Sequence, residues 1–249
     1  MSRLGKILLG TACAVLFVVI QARAATNVTV DPGASWVGFM NVFDIPQNVA
    51  SGPYPTTGPG PYVFGSGWGT SDLIATFSGS VLSLKPNSVG DPSTFWYIGG
   101  GGPGAVGNKI TDANMYVEIG SLPGQTLTFS GLVLANTLTF ADNPSNTDPL
   151  GNGWTAVAFI KDFASDYSSF VGTTVPLTAG PFSISLPTIN DPARHVQYGF
   201  EVIGPDVWIT DNGTYGSVQV TAVPEPSSIA LVLTGLSGLF AFVWKKRRI

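Results

Sequence analysis

His195-Val196-Gln197-Tyr198-Gly199-Phe200-Glu201-Val202 places large apolar side chains at the even positions and polar or small ones at most of the odd positions. A period of two marks an extended strand whose two faces meet different surroundings, one packed and one polar. The same alternation recurs in Phe182-Ser183-Ile184-Ser185-Leu186, in Val218-Gln219-Val220-Thr221-Ala222 and in Thr126-Leu127-Thr128-Phe129-Ser130. Further strands are predicted over Asn27–Val30, Ser35–Phe43, Leu73–Phe77, Val81–Leu84, Thr94–Ile98, Met115–Ile119, Leu132–Phe140 and Trp154–Ile160. Between residues 25 and 222 no stretch carries the 3.6-residue apolar period of a helix. A dozen short strands separated by Gly, Pro, Asn and Asp turns predict an all-β body, a β-sandwich of jelly-roll type. Gly52 to Gly69, rich in Gly and Pro, reads as a long irregular loop or a junction.

Of 249 residues, 31 are Gly and 19 Pro, yet the aromatic content and the alternation argue for a folded body rather than low complexity. About 200 residues suffice for one core, and one domain over 25–222 is expected; a division near Gly99–Gly107 is the alternative. Cys13 is the only cysteine, and it lies in the apolar leader, so the body must hold together without disulfides. The net charge of −4 understates the acidity of that body. Between Ala25 and Trp244 fifteen acids stand against Lys85, Lys109, Lys161 and Arg194, a balance of −11. A surface so poor in bases excludes nucleic acid as a partner.

Both ends read as targeting segments. Arg3 and Lys6 precede an apolar run from Ile7 to Ile20, and Ala22-Arg23-Ala24 has the small-x-small form of a cleavage site, so residues 1–24 read as a signal peptide and Ala25 as the mature start. An uncleaved anchor is the alternative. At the other end, Val223-Pro224-Glu225-Pro226-Ser227-Ser228 is followed by the apolar segment 229–244 and then by Lys245, Lys246, Arg247 and Arg248 within the terminal stretch 245–249. From Pro226 to Trp244 nothing is charged; as a helix this stretch covers ~28 Å, close to the ~30 Å of a bilayer core. The four cations that follow resist entry into lipid and act as a membrane stop on the cytoplasmic side. Pro224 and Pro226 keep the segment around Glu225 extended, where a protease can hold it.

Residues 223–249, a short Pro-Glu-Pro motif, one hydrophobic span and a basic terminus in that order, resemble the PEP-CTERM sorting signal of Gram-negative bacteria. The resemblance implies an exported precursor anchored in the inner membrane. Signal peptidase and exosortase would process it, and the product would move to the cell surface or the extracellular matrix. Ala158-Phe159-Ile160-Lys161-Asp162-Phe163-Ala164-Ser165-Asp166-Tyr167-Ser168-Ser169 and His195 to Glu201 are similar to stretches in the β-sandwich bodies of other PEP-CTERM proteins. Such bodies often resemble carbohydrate-binding jelly rolls, which implies exopolysaccharide as a partner.

Within the body no motif declares a catalyst. His195, the only histidine, sits in Asp191-Pro192-Ala193-Arg194-His195, a turn leading into a strand, and no G-x-S-x-G elbow accompanies it. It reads as a structural or surface histidine. Glu118 and Glu201, the only glutamates before the tail motif, are the sole glutamate pair for glycoside cleavage, and both fall on predicted strands. The run Gly99 to Gly107 lacks G-K-[ST] and is interrupted by Pro103, so it reads as a flexible connection. Asp142 and Asp148, in a loop of Asp, Asn, Pro and Thr, are the candidate ligands of a structural calcium ion, with Asp211-Asn212-Gly213 as a smaller oxygen cluster; ordinary turn chemistry explains both as well. Exposed aromatic rings stack on sugar faces, and Trp96, Trp154 and Trp208 are the candidate carbohydrate-facing residues. Trp96 and Tyr97 are adjacent on a predicted strand, so only one of them is expected in the core. The chain therefore reads as a non-enzymatic surface or matrix protein that associates with exopolysaccharide. A structural surface protein without a ligand and a glycan-acting hydrolase remain the alternatives.

Overall fold

The computed structural model describes residues 24–45, 60–138 and 154–223. Ala22, the calcium candidates Asp142 and Asp148, and the tail from Pro224 through Arg248 lie outside them. Among the described residues there is no helix, and none therefore long and apolar enough to cross a membrane.

Sixteen strands follow in order: β1 (Ala25–Thr29), β2 (Val37–Asp44), β3 (Tyr62–Trp68), β4 (Ala75–Ser78), β5 (Val81–Leu84), β6 (Ser88–Val89), β7 (Tyr97–Ile98), β8 (Val106–Gly107), β9 (Lys109–Glu118), β10 (Thr126–Asn136), β11 (Thr155–Phe163), β12 (Phe170–Pro176), β13 (Gly180–Pro187), β14 (His195–Pro205), β15 (Val207–Trp208) and β16 (Val218–Thr221). They form two six-stranded sheets and two small ribbons. One large sheet runs β12-β11-β14-β9-β2-β3 and is antiparallel throughout. In the other, β10 carries β13 along one edge; β1 and β16 follow one another along the opposite edge, and β5 and β4 extend from β16.

Pairing is nested. β5 pairs with β16, β9 with β14, β10 with β13 and β11 with β12, all antiparallel, and the pairs alternate between the two sheets. This is the winding of a jelly roll. The predicted alternation explains how the sheets meet. Even-numbered residues of β14 turn inward, where Tyr198 and Phe200 lie 5.0 and 5.4 Å from the Phe129 ring of β10 in the facing sheet. Phe182 of β13 and Trp36, just before β2, complete this aromatic centre. Each such ring, fully removed from water, stabilises the fold by roughly 2–3 kcal/mol.

Several expectations are corrected. Tyr62–Trp68 is a strand, not loop, because its backbone pairs along the edge of β2 from Gly38↔Trp68 onward. Phe170–Pro176, where no strand is expected, pairs with β11 over its whole length. Trp96 and Tyr97 are both buried. The period-two argument fails there because residues 94–96 form a turn and the strand begins only at Tyr97. The Gly99–Gly107 run is built rather than loose: it closes the β7–β8 ribbon, the Trp208 ring covers Gly101 so closely that a Cβ would stand 2.5 Å from it, and Gly107 lies against the Asp206 backbone. Only glycine fits either place.

Candidate binding groove

Inward alternation leaves the odd-numbered side chains of β14 on the outer face of the β12-β11-β14-β9-β2-β3 sheet. The register sets Glu201 beside Asn114 and Gln197 beside Glu118 on β9. It sets Lys161 of β11 between Gln197 and Gly172 of β12, and Asn41 of β2 beside Asp112. A cleft of about 1010 Å³ lies over this face, lined among others by Asn41, Asp112, Asn114, Lys161, Gln197 and Glu201, with Phe39, Tyr116, Phe163, Tyr167 and Phe170 as its aromatic walls. A second depression of about 680 Å³ shares Phe39, Tyr116 and Tyr167 with it and continues across β2 and β3 to Trp68. The odd positions Gly65 and Gly67 of β3 keep that end of the face low.

Polar side chains on the floor are bonded to one another. Lys161 Nζ stands 2.7 Å from Glu201 Oε2 and donates at 3.0 Å to Asn114 Oδ1. The Asn114 amide donates to Asp112 Oδ1 at 2.5 Å, and the Asn41 amide to Asp112 Oδ2 at 3.1 Å. Lys161 also rests 4.2 Å above the Phe159 ring, which is wholly buried beneath the groove although it points outward. Burial and the adjacent Glu201 carboxylate push Asp112 up to about 6.

The β11–β12 hairpin turn places a ring over one end. Ala164 and Ser169 close the turn, Asp166 accepts from the Ser168 amide and hydroxyl, and Tyr167 takes φ 59, a left-handed conformation unusual for a bulky residue. The Tyr167 ring stacks on His195 at 4.6 Å, its hydroxyl donates to both oxygens of Glu118 at 3.1 Å, and the Gln197 amide donates to Glu118 Oε2 at 2.8 Å. His195 Nδ1 lies 3.4 Å from Glu118 Oε1. The turn thus sacrifices the glycine that its backbone favours for a ring at the groove mouth.

Glu118 and Glu201 share the face but not a position. The registers set them four residues apart on neighbouring strands, roughly 14 Å at ~3.4 Å per residue, against the ~5–9.5 Å between the carboxyl groups of a glycosidase pair. The tryptophans lie elsewhere. Trp154 is buried, donating from Nε1 to Pro205 O at 2.9 Å with its ring 4.8 Å from Tyr215. Trp96 is buried edge-on against Phe64 and Phe95. Trp208, half-buried, packs edge-on against Tyr97 and over Gly101. None of the three lines the groove. Among the described residues no three His, Cys, Asp or Glu side chains gather where they could hold a metal ion. Asp211 instead accepts from the Gly104 amide and the Thr210 hydroxyl. β1 begins at Ala25, and Val223, exposed, stands two residues beyond the end of β16.

From there the chain enters the stretch that fixes its destination: residues 222–248 match the PEP-CTERM protein-sorting motif. The chain carries a PEP-CTERM sorting signal. That signal marks an exported protein, sorted by exosortase to the surface or the exterior of the cell. The PEP-CTERM motif begins directly where the sandwich ends, and no curated protein and no solved structure matches the chain.

Proposed function

We propose that this protein is a component of the cell surface or extracellular matrix that binds exopolysaccharide, without cleaving it, along the outer groove of the β12-β11-β14-β9-β2-β3 sheet. Its precursor is exported with its signal peptide, cut by signal peptidase after Ala24, held in the inner membrane by 229–244 with Lys245 to Arg248 on the inner side, and released or transferred by exosortase at Val223 to Pro226.

The observation that carries the reading is the groove itself: a long shallow track in which side chains with hydrogen-bonding oxygens alternate with aromatic rings. A pyranose offers an apolar face to a ring and hydroxyls to carboxylates and amides, so a surface of this kind suits a sugar chain. The polar network favours binding over hydrolysis. Asp112 gives both oxygens to amides and one oxygen of Glu201 is held by Lys161, so these carboxylates serve to fix the floor of the groove.

The test is retention of the full chain, purified in detergent, on a panel of immobilised bacterial polysaccharides. Tyr167→Ala and Phe170→Ala are expected to weaken retention about fivefold each, since a stacked ring contributes ~1 kcal/mol. A parent protein retained by no polysaccharide would leave a structural surface protein without a ligand and end this reading.

A further inference from the structure

We propose that the groove selects a glycan bearing amino-sugar ammonium groups and turns away glycans that carry uronate or sulfate. The inference rests on the polysaccharide-binding reading above and adds the charge class of the ligand.

Charge comes first. The groove and its mouth hold three carboxyl groups, Asp112, Glu118 and Glu201, against a single lysine. That lysine is already engaged: Lys161 sits 2.7 Å from Glu201 Oε2, donates to Asn114, and lies over the Phe159 ring. His195 faces Glu118 from beneath the Tyr167 ring. Of the remaining cations in the body, Lys109 is tied to Asp44, Arg194 to Asp162, and Lys85 follows β5 in the other sheet, all away from the groove. An acidic glycan would therefore bring its carboxylates or sulfates against like charge, with no unpaired cation among the described residues of the groove to receive them.

Hydrogen-bond polarity points the same way. The donors of the floor are turned inward: the Asn41 and Asn114 amides toward Asp112, the Gln197 amide and the Tyr167 hydroxyl toward Glu118. Acceptors are left over, beside the hydroxyls of Tyr116, Thr173 and Thr174. Among the described residues nothing donates to Asn41 Oδ1, Gln197 Oε1 or Glu201 Oε1, and all three residues line the cleft. These three acceptors favour a ligand that brings donors to them. An ammonium offers three N–H groups and no acceptor, while a uronate or sulfate offers only acceptors at its charged end. Phe163, whose ring lies 5.6 Å from that of Tyr167 and 5.0 Å from that of Phe170, joins them in adding faces that attract a cation as well as a sugar ring.

The experiment compares three oligosaccharides of equal length by titration calorimetry on the full chain in detergent: a fully deacetylated chitosan hexamer, its N-acetylated counterpart, and a hexauronate. The first is expected to bind at least about tenfold tighter than the second, with a preference that shrinks as salt rises, and the third not at all. Glu201→Gln should bring the deacetylated hexamer down toward the acetylated one. Near-ultraviolet circular dichroism checks that variant's fold, and the ratio on the parent protein decides if the variant fails. A hexauronate bound as tightly as the chitosan hexamer, or no gain on deacetylation, overturns the charge selection while leaving polysaccharide binding intact. Retention by no glycan in the wider panel removes both.

Discussion

Asp206 follows the last residue of β14 and is almost wholly buried, yet only half of its carboxylate is satisfied. Oδ1 accepts from the Lys109 amide at 3.1 Å, while among the described residues Oδ2 has no donor. The next residue, Val207, donates its amide to the Asn87 carbonyl, and among the described residues Asn87 Oδ1 also lacks a donor. Burial pushes Asp206 up from 3.8 to about 7. A carboxyl that holds its proton more tightly when folded stabilises fully below its unfolded value and loses that contribution as pH rises through the folded one. Stability should therefore decline between about pH 4 and pH 7, with Asp112, pushed up to about 6, contributing in the same direction. Asp206→Asn keeps an acceptor for Lys109, can turn an N–H toward Asn87, and should raise stability at pH 8 by on the order of 2 kcal/mol while flattening the upper part of the slope. Urea unfolding at pH 5 and pH 8 measures both. An unchanged slope in the variant would clear Asp206 of the role.

Among the elements, β11 is tied at its far end to the loop before β14. Asp162, almost wholly buried, accepts from Arg194 Nε at 2.8 Å and from the Ile189 amide at 2.8 Å, and Arg194 reaches the Asp162 carbonyl as well. Removing the arginine strands a buried carboxylate. Arg194→Met is expected to cost about 3–5 kcal/mol, whereas a double Arg194→Met, Asp162→Asn variant should recover part of it. Thermal unfolding of the three proteins decides; equal losses in the single and double variants would show that the charge is not the cause. The same elements show where alternation reads true. β5 was legible to its exact ends in Val81–Leu84, and β13, β14 and β16 in their alternating centres, because one face of each is packed and the other polar. β12 shows only exposed and half-buried positions and exists because β11 offers it an edge. β9 is longer than its apolar centre because Lys109, buried, reaches Asp44 at 3.0 Å over the Phe95 ring. A polar residue that finds a partner leaves no apolar mark on the sequence.

For the whole molecule, an acidic sandwich is delivered by a tail that starts directly after its last strand. The carboxylate of Glu225 is the only charge between that strand and the basic terminus. Glu225→Ala is expected to leave the protein as a full-length species in the membrane fraction of an exosortase-bearing host, read by immunoblot of fractionated cells. Processing at the parental rate would show that exosortase does not need this side chain.

Fold class, acidity and address were settled by the sequence alone, because alternation, charge count and a tripartite tail are local properties that survive without neighbours. The groove was not among them. Asn41, Asp112, Asn114, Lys161, Gln197 and Glu201 come from four strands, and each by itself reads as the solvated side of its strand. Only the registers of β2, β9, β11 and β14 bring them to one face. A slip of one residue in any of those pairings would turn that strand's members into the core, and pairing across such long separations is a tertiary property.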